Sequence, residues 1–349
     1  MTGSALILDT QRLSRPFMGV DPFLFCAYHV DHYPRGNGHL GIDSQQLADR
    51  PLGNDFSGKH GYSMYYGDSV PGFPVHPHRG FETVTIVRSG FVDHADSMGA
   101  RGRYGMGDVQ WLTTGAGVQH AEMFSLVNEQ QDNPLELFQI WLNLPARSKF
   151  VQPAFKMLWA EEIPLYHHNG AEVMIVAGSY APANGEPTLT PKTPPPDSWG
   201  AQPEAELAIW MLRMEPGSSI VLPAARLPGN LRTLYVYDGD GLHIGTTAVG
   251  SDVVARVDAG QLLPLSNHGS QRVQILLMQG MPLNEPVAAG GPFVMNTEEE
   301  LHQARVDFGR THFGGWPWDS RAPTFGSNPQ RFAQYAGSDA VELPPEAKE

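Results

Sequence analysis

Glycine and proline recur between short apolar runs along the whole chain, and this pattern limits the fold more than any other feature. The sequence holds 38 glycines and 30 prolines among 349 residues, well above average usage. Turn formers at this density leave room mainly for short elements, and the runs between them are rich in β-branched residues. No three-residue period marks a collagen-like chain. The sequence therefore predicts an all-β protein.

Nine runs are typical of short strands. Residues 82–88 are mostly β-branched and are followed by Ser-Gly, and residues 108–114 lie between two glycines. Residues 135–144 alternate between apolar and polar types and stop at Pro145. Many short strands with turns between them are what a sandwich or barrel requires. The remaining predicted strands are 5–8, 172–177, 206–214, 233–237, 261–265 and 272–278.

A loop, a helix and a tail interrupt this pattern. Residues 181–203 are rich in Pro, Gly and Thr, a composition that cannot build a core, and we interpret them as a surface loop. Thr297 and Glu300 form a capping box, which predicts the start of a helix. We expect the tail beyond residue 309 to pack in part on the body, with about the last ten residues loose. The apolar stripe of the predicted helix is Leu301, Ala304, Val306 and Phe308.

Charge and cysteine content exclude several classes of function. The formal net charge of −14 disfavours phosphate-backbone binding, which needs clustered Lys and Arg, so we expect no direct nucleic-acid partner. No run approaches the ~18 apolar residues of a membrane span, and the N-terminus lacks a signal-peptide pattern. The single cysteine, Cys26, excludes an intrachain disulfide and suits a reducing compartment. We expect a cytoplasmic monomer that does not bind membranes.

Two short pairs of residues are the strongest candidates for chemistry. His76-Pro77-His78 and His120-Ala121-Glu122 each have i, i+2 spacing. Side chains two apart on a strand point to the same face, so each pair can direct two ligand-type side chains into one space. Three imidazoles and a carboxylate that leave coordination positions open suit iron and other divalent first-row metals. The pairs therefore predict a metal site.

The second half of the chain repeats parts of the first. The segments around Gly90 and Gly239 are similar, as are those around Gly107 and Gly260. In the register that these glycines set, every counterpart of the two pairs is apolar. This predicts that the second copy fills the equivalent space with core and that the metal site is single. The counterparts of His76, His78, His120 and Glu122 are Ala225, Leu227, Val273 and Ile275.

Four segments carry a resemblance to a known family. Residues 76–85 (HPHRGFETVT) and 107–122 (GDVQWLTTGAGVQHAE) resemble the two cupin motifs of the pirin family. Residues 138–145 (FQIWLNLP) and 291–300 (GPFVMNTEEE) also resemble pirin segments. The resemblance extends from about residue 18 to residue 310, and the chain departs from it in the Pro-rich loop and the extended tail.

The resemblance implies a bicupin with metal in the N-terminal barrel only. Such a chain has two cupin (jelly-roll-type) β-barrel domains, followed here by a short C-terminal helix and an extended tail. The implied boundaries are an N-terminal strand segment at 1–20, the metal-binding cupin at 21–146, the metal-free cupin at 147–290, and the helix and tail at 291–349. Pirins bind iron, so Fe(II) is the expected metal, although Mn, Co, Ni, Cu or Zn suit the same ligand types.

Glu82 competes with Glu122 for the role of carboxylate ligand. It lies four residues after His78, on the same face if one regular strand holds both, and many cupins use a glutamate there. Pirins take the carboxylate from the His-x-Glu pair, so the resemblance favours the three imidazoles together with Glu122. Glu82 is then a nearby hydrogen-bonding group or a salt-bridge partner of Arg79 or Arg88. Both glutamates are candidate catalytic residues. The other histidines, which include His29, His32, His94, His167 and His168, lack this spacing and are interpreted as surface or structural.

Some pirins act as quercetin 2,3-dioxygenases and others as transcriptional co-regulators, so the resemblance implies two classes of function. The leading hypothesis is a metal-dependent dioxygenase that uses O2 on quercetin or a related flavonol-like aromatic, with the substrate hydroxyl losing its proton to Glu122 or a nearby base. One alternative is an iron-dependent redox-sensing regulator that binds a protein partner without turnover. Another is an oxygenase for a different aromatic or enolisable substrate.

Overall fold

Strands dominate the computed structural model, which describes residues 5–346, and the all-β prediction is confirmed. Each of the eight strands predicted between residues 82 and 278 is present, with ends within two residues of the prediction. The first thirteen strands are β1 (Ile7–Arg12), β2 (Phe17–Met18), β3 (Phe23–Tyr33), β4 (Gly72–His78), β5 (Phe81–Ser89), β6 (Phe91–Asp96), β7 (Arg101–Gly105), β8 (Val109–Thr113), β9 (Val118–Met123), β10 (Asn133–Asn143), β11 (Ala154–Leu158), β12 (Leu165–His168) and β13 (Ala171–Ala177).

The rest of the chain adds twelve described strands and one α-helix. They are β14 (Ala208–Met214), β15 (Ser219–Leu222), β16 (Leu231–Asp238), β17 (Leu242–Ile244), β18 (Thr247–Val249), β19 (Val253–Asp258), β20 (Leu263–Asn267), β21 (Val273–Gly280), β22 (Ala288–Gly290), β23 (Phe293–Met295), α1 (Glu298–Thr311), β24 (Phe332–Gln334) and β25 (Val341–Glu342). Short 3-10 helices lie at Ser44–Leu47, Lys59–Gly61, Ala146–Ser148, Ala160–Glu162, Trp199–Ala201, Pro203–Ala205 and His312–Gly314.

The chain forms two compact units that interleave in sequence. The first, which we call the histidine unit because it contains both ligand pairs, comprises Ala27–Glu161 and the described residues from Glu285 onward. The second unit comprises the described residues up to Cys26 together with Glu162–Asn284. The boundaries predicted from sequence follow chain order, whereas each of these units also includes a terminal segment from the opposite half of the chain.

Two sheets build the second unit, with strand orders β1-β19-β16-β21-β14-β13-β12 and β15-β20-β17-β18. The apolar run at residues 5–8 leads into β1, which pairs antiparallel with β19, for example Thr10 opposite Ala255. The N-terminal strand is therefore an edge strand of this unit. Buried side chains from both sheets, such as Trp210 and Leu265, form one core cluster between them.

Two larger sheets and the two-stranded β22–β23 sheet build the histidine unit, and the larger sheets have the orders β11-β8-β5-β10-β3 and β25-β24-β7-β6-β9-β4. Val87 and Leu112 from one sheet and Val92 and Val118 from the other belong to one buried cluster. The position of β4 at the edge of its sheet explains why this strand tolerates two prolines, since an edge strand leaves one row of backbone groups outside the ladder. Part of this outer row is covered by the C-terminal segment, since the N–H of Val75 donates to the carbonyl of Arg321 at 2.8 Å.

The two units share one strand plan, and this plan corrects the internal register given above. The pairs β4–β9, β5–β8, β6–β7 and β10–β5 correspond in order to β15–β20, β16–β19, β17–β18 and β21–β16. Val273 and Ile275 lie on β21, the counterpart of β10, and Ala225 and Leu227 lie outside the strands. The histidine-bearing strands instead match β15 and β20. Their buried apolar residues are Ile220, Leu222, Leu263 and Leu265, which belong to one core cluster, and the polar Asn267 of β20 is buried as well.

The predicted helix is confirmed. Thr297 is the N-cap of α1, and its side chain and that of Glu300 make both hydrogen bonds of the capping box. Leu301 and Ala304 are buried as expected, but Val306 is exposed, because it lies off the face that packs on the β22–β23 hairpin. None of the helices within residues 5–346 combines the length and apolar character that crossing a membrane requires.

The loop and the tail are more ordered than their composition predicts. Within 181–203, Pro194, Pro195, Ser198 and Trp199 are buried, so the prediction of a surface loop is wrong for that part. In the tail, β24 pairs with β7 and β25 pairs with β24. Trp159 Nε1 donates to Glu342 Oε1 at 2.6 Å. The expected loose end therefore does not include β25, and residues 347–349 lie outside the described part.

A buried ion pair anchors this tail, and we expect its loss to lower the free energy of unfolding. Arg103 Nε and Nη2 donate to the two oxygens of Asp93 at 2.6 and 2.7 Å, and both side chains are fully buried. Asp93 also accepts from Ser125 Oγ and from the backbone N–H of Phe325. Asp93→Ala would leave the guanidinium buried without a counter-charge and should lower the free energy of unfolding by about 3–5 kcal/mol.

Chemical denaturation followed by tryptophan fluorescence measures this change. The matched control is Arg272→Ala, which breaks an ion pair with Glu215 whose partners are 47% and 45% exposed and should cost at most about 1 kcal/mol. Equal losses in the two variants would contradict the importance of the buried pair.

Candidate metal centre

The three predicted histidines meet where β4 pairs with β9. His76 lies directly opposite His120 in the antiparallel register, and His78 follows two residues along β4 on the same face. The ring centroids of His76 and His120 are 4.4 Å apart, and those of His78 and His120 are 4.9 Å apart. One nitrogen from each ring lies within 4.8 Å of the others, a grouping that could hold a metal ion.

Hydrogen bonds to the backbone select the tautomer of two of these rings. His76 Nδ1 lies 2.9 Å from the carbonyl oxygen of Pro74, and His78 Nδ1 lies 3.3 Å from that of Pro292. A carbonyl oxygen can only accept, so each Nδ1 carries the hydrogen and each Nε2 presents a lone pair. In metal sites, a histidine that binds the metal through one ring nitrogen usually donates the N–H of the other to a fixed acceptor, which holds the ring in one orientation.

Unpartnered nitrogens in the interior show that the residues fit a metal. Nε2 of His78 and both ring nitrogens of His120 are buried without a hydrogen-bond partner. Buried polar atoms are nearly always paired, so each exception needs an explanation. A bound cation would satisfy the free Nε2 lone pairs, and this chemistry of the donor set is what a divalent first-row metal requires.

Burial keeps the three imidazoles neutral. It lowers the pKa of His76 to about 4. It also lowers the pKa of His78 and of His120 well below the ordinary value, with the neighbouring imidazoles contributing in the same direction. Metal ligation requires the neutral ring, so the site needs no proton release from these residues near pH 7.

Glu122 adjoins the three imidazoles but is engaged by another residue. Its Oε2 lies 3.7 Å from His120 Nε2, beyond hydrogen-bond distance. Both carboxylate oxygens accept hydrogen bonds from Gln139 Nε2, at 3.0 and 2.9 Å. Burial raises the pKa of Glu122, and the bonds from Gln139 oppose that rise. The group of close ligand atoms found in residues 5–346 consists of the three imidazoles alone, so ligation by Glu122 stays a prediction.

Glu82, the competing carboxylate, is fully buried on β5. Its Oε1 accepts hydrogen bonds from Trp111 Nε1 at 2.9 Å and from Thr113 Oγ1 at 2.6 Å, both on the neighbouring strand β8. Arg79, one of the salt-bridge partners considered for it, pairs with Asp307 at 2.8 Å. These contacts agree with the interpretation of Glu82 as a buried hydrogen-bonding group.

Residues from the C-terminal segment complete the centre, and sequence reasoning missed their role. The carbonyl of Pro292 orients His78, as described above. Lys149 Nζ donates to the carbonyls of Gly80 and Val294 and to Asn143 Oδ1, at 2.8, 3.0 and 2.8 Å. Gly80 has a φ of +86°, and a Cβ there would lie 2.0 Å from the Val294 oxygen, so only glycine fits. The resemblance of 291–300 to a pirin segment was the available signal.

The sequence predicts a surface or structural role for His94, and the structure places it in the interior beside the centre. It is fully buried on β6, directly opposite Glu122, and its ring centroid lies 5.6 Å from that of His120. Its Nε2 lies 3.3 Å from Asp96 Oδ2. The i, i+2 spacing of His94 and Asp96 repeats the pattern of the two ligand pairs and could have drawn attention to it.

Comparison with known proteins agrees with this picture. Two family models match: Pirin over residues 19–142 and Pirin C-terminal cupin domain over residues 209–314. A Pseudomonas aeruginosa protein that carries the name "Putative quercetin 2,3-dioxygenase" is 36% identical over 244 residues, or 68% of this chain and 78% of the relative. Human Pirin is 32% identical over 253 residues, or 71% and 79%. The 1.88 Å crystal structure of quercetin 2,3-dioxygenase from Acinetobacter baumannii has a TM-score of 0.65 at 27% identity and covers 89% of this chain and 98% of that chain.

Removal of one imidazole tests the grouping. We expect His120→Ala to weaken the binding of Co(II) to metal-free protein, because it deletes the nitrogen donor that β9 contributes. The loss of affinity should exceed the ~10–100-fold that is typical when a residue that only hydrogen-bonds to a metal ligand is changed. Isothermal titration calorimetry measures the affinity. The control is His167→Ala, an exposed histidine of the second unit, which should bind like wild type; equal affinities for all three proteins would contradict the site.

Proposed function

This chain belongs to the pirin family of bicupins, and from that premise we propose that it is a metal-dependent dioxygenase acting with O2 on quercetin or a related flavonol-like aromatic. Two similar proteins support this reaction class, since the Pseudomonas relative and the Acinetobacter structure both carry quercetin 2,3-dioxygenase in their names. The observation that carries the proposal is the group of three neutral imidazoles at the β4–β9 junction. A metal held by them would keep positions open for substrate and O2.

Fe(II) is the metal that we propose, with Mn, Co, Ni, Cu or Zn as other occupants that the donor set accepts. His76, His78 and His120 would hold it, and Glu122 is the proposed fourth ligand or proton acceptor. When bound, the metal lowers the pKa of a substrate hydroxyl and supplies the redox chemistry for reaction with O2.

Glu122 is the residue best placed to take a proton from the substrate hydroxyl. It lies beside His120, and because burial raises its pKa, it holds a proton more readily than an exposed carboxylate does. Glu82 is the second candidate carboxylate and is held by Trp111 and Thr113. Two half-buried rings flank the imidazoles: Trp141 at 5.2 Å from His78 and Phe73 at 6.2 Å from His76. They would pack against a flat substrate and exclude water from the reacting atoms.

Oxygen consumption tests this proposal. Iron-loaded protein is expected to consume O2 when quercetin is added, and His76→Ala is expected to reduce the rate to background because a ligand is lost. An oxygen electrode measures the rate, and His167→Ala should behave as wild type. No uptake by iron-loaded wild type, or the same rate from His76→Ala, would contradict the dioxygenase proposal.

Elemental analysis after anaerobic purification tests the metal. We expect iron at up to one equivalent per chain, because the described residues group ligand atoms at this one site. Tightly held zinc alone, with no oxygen uptake after iron loading, would count against oxygenase chemistry.

A second candidate function is an iron-dependent redox-sensing regulator that binds a protein partner. The observation that favours it is a run of ring contacts from the centre to the surface: His76 to Phe73 at 6.2 Å, Phe73 to Tyr66 at 5.7 Å and Tyr66 to Phe56 at 5.2 Å. Phe56 and Tyr66 are 54% and 49% exposed. Pull-downs with Fe(II)- and Fe(III)-loaded protein test this candidate, and identical partner sets would argue against a redox switch. The cytoplasmic location and the monomeric state stay predictions from composition.

A further inference from the structure

We propose that Gln139 is a positioning residue for the metal centre: its amide holds the Glu122 carboxylate beside His120, and Trp141 sets the direction of that amide. The inference rests on the proposed metal site and deepens it by naming what controls its carboxylate. Neither Gln139 nor Trp141 belongs to the two ligand pairs, and they enter the site from a different strand, β10.

Three hydrogen-bond contacts meet at the side-chain nitrogen of Gln139. Its Nε2 lies 3.0 Å from Oε1 and 2.9 Å from Oε2 of Glu122, and 3.3 Å from Thr85 Oγ1. The amide nitrogen thus lies between the two carboxylate oxygens and restrains the position and rotation of the carboxylate, to which the Thr85 side chain adds a further hydrogen bond. Gln139 is half-buried, while Glu122 is nearly fully buried, so the restraint acts where water competes little for the carboxylate.

Trp141 removes the ambiguity in the orientation of this amide. Trp141 Nε1 lies 3.2 Å from Gln139 Oε1, and an indole N–H can only donate. If the amide turned over, its oxygen would face the carboxylate oxygens and its NH2 would face the indole N–H. Both contacts would be repulsive, so the donor must point at Glu122.

The same indole contacts the other ligand pair. Its ring centroid lies 5.2 Å from that of His78 in an edge-to-face arrangement and 4.1 Å from that of Phe81, on which it stacks. Trp141 therefore packs against an imidazole from β4 while it orients the amide that holds the carboxylate from β9. These contacts connect the His76–His78 pair to the His120–Glu122 pair through side chains of β10, in addition to the backbone pairing of β4 with β9. A ligand set is effective when the surrounding residues hold it in one geometry.

Titration of metal-free protein with Co(II) alone, followed by visible absorption, tests the proposal. Gln139→Met preserves side-chain length and removes the donors; it is expected to weaken Co(II) binding by about 10–100-fold and to change the ligand-field bands, because the carboxylate loses both hydrogen bonds from Gln139. Trp141→Phe keeps a ring against His78 but frees the amide to turn, and should shift the bands in the same direction with a smaller loss of affinity.

The matched control is Gln279→Leu in the second unit. Gln279 is a buried glutamine on β21, the counterpart of β10, and accepts a hydrogen bond from Arg232. It should lower thermal stability without changing the Co(II) bands. If Gln139→Met does not fold, Trp141→Phe decides the question.

If the folded Gln139→Met variant binds Co(II) with wild-type affinity and wild-type absorption bands, the proposed role of Gln139 is overturned. Where Gln139→Met does not fold, the same result in Trp141→Phe overturns it. Absence of any Co(II) binding by wild type would overturn it together with the metal centre. A third outcome separates the two proposals: the wild type binds Co(II), the Gln139 variant binds it more weakly, and the iron-loaded wild type consumes no oxygen. This outcome would support the role of Gln139 and contradict the dioxygenase proposal. The two proposals can therefore fail separately.

Discussion

Antiparallel pairing of β4 with β9 is the interaction on which the candidate centre depends. It places His76 opposite His120, and the two-residue period of a strand then carries His78 and Glu122 to the same side. A slip of one residue would turn each pair to the other face of the sheet. β6 lies along the other edge of β9, with His94 opposite Glu122 and Asp96 opposite His120. Three neighbouring strands thus share one register around the centre.

The end of β4 depends on residues that come more than two hundred positions later. The carbonyl of Pro292 lies against the His78 ring, and Lys149 ties Gly80 to Val294. Arg79, between His78 and Gly80, forms an ion pair with Asp307 of α1. β4 pairs with β9 along one edge only, so the return of the C-terminal segment to the histidine unit adds a restraint on the His78 ring that strand pairing does not supply.

The second unit shows what the same strand plan becomes without ligands. Leucines and an isoleucine occupy the strands that correspond to β4 and β9, and they are buried in one apolar cluster. In the histidine unit the same region holds imidazoles, and Nε2 of His78 and both ring nitrogens of His120 are buried without partners. Buried unpaired polar atoms are destabilising, whereas apolar packing here would not be. The polar interior is therefore what separates the candidate metal centre from ordinary core.

Local patterns predicted much of the fold and the first residues of the site. Short β-branched runs between turn formers were enough for eight strands, because strand preference and turn chemistry act over a few residues. The capping box of Thr297 located α1 for the same reason. The internal register was wrong at Val273 and Ile275, because Gly107 precedes β8 whereas Gly260 precedes β20 and not β19, the counterpart of β8. The other anchor is correct, since Gly90 and Gly239 follow the corresponding strands β5 and β16. Only the pairing of strands could show that β20, and not β21, matches β9.

The sequence by itself determined that the chain is all-β, that its two halves share one plan, and that His76, His78, His120 and Glu122 alternate in the way a strand-borne site requires. Tertiary structure decided which groups surround them. Gln139, Trp141, His94 and Pro292 reach the centre through strand pairing and through the return of the C-terminal segment. For Gln139 the spacing in sequence carries no record of this, because contacts across a sheet join residues whose separation along the chain is set by loop lengths. The roles of the two carboxylates rest on those contacts: Glu82 bonds to Trp111 and Thr113, whereas Glu122 bonds to Gln139 beside the imidazoles.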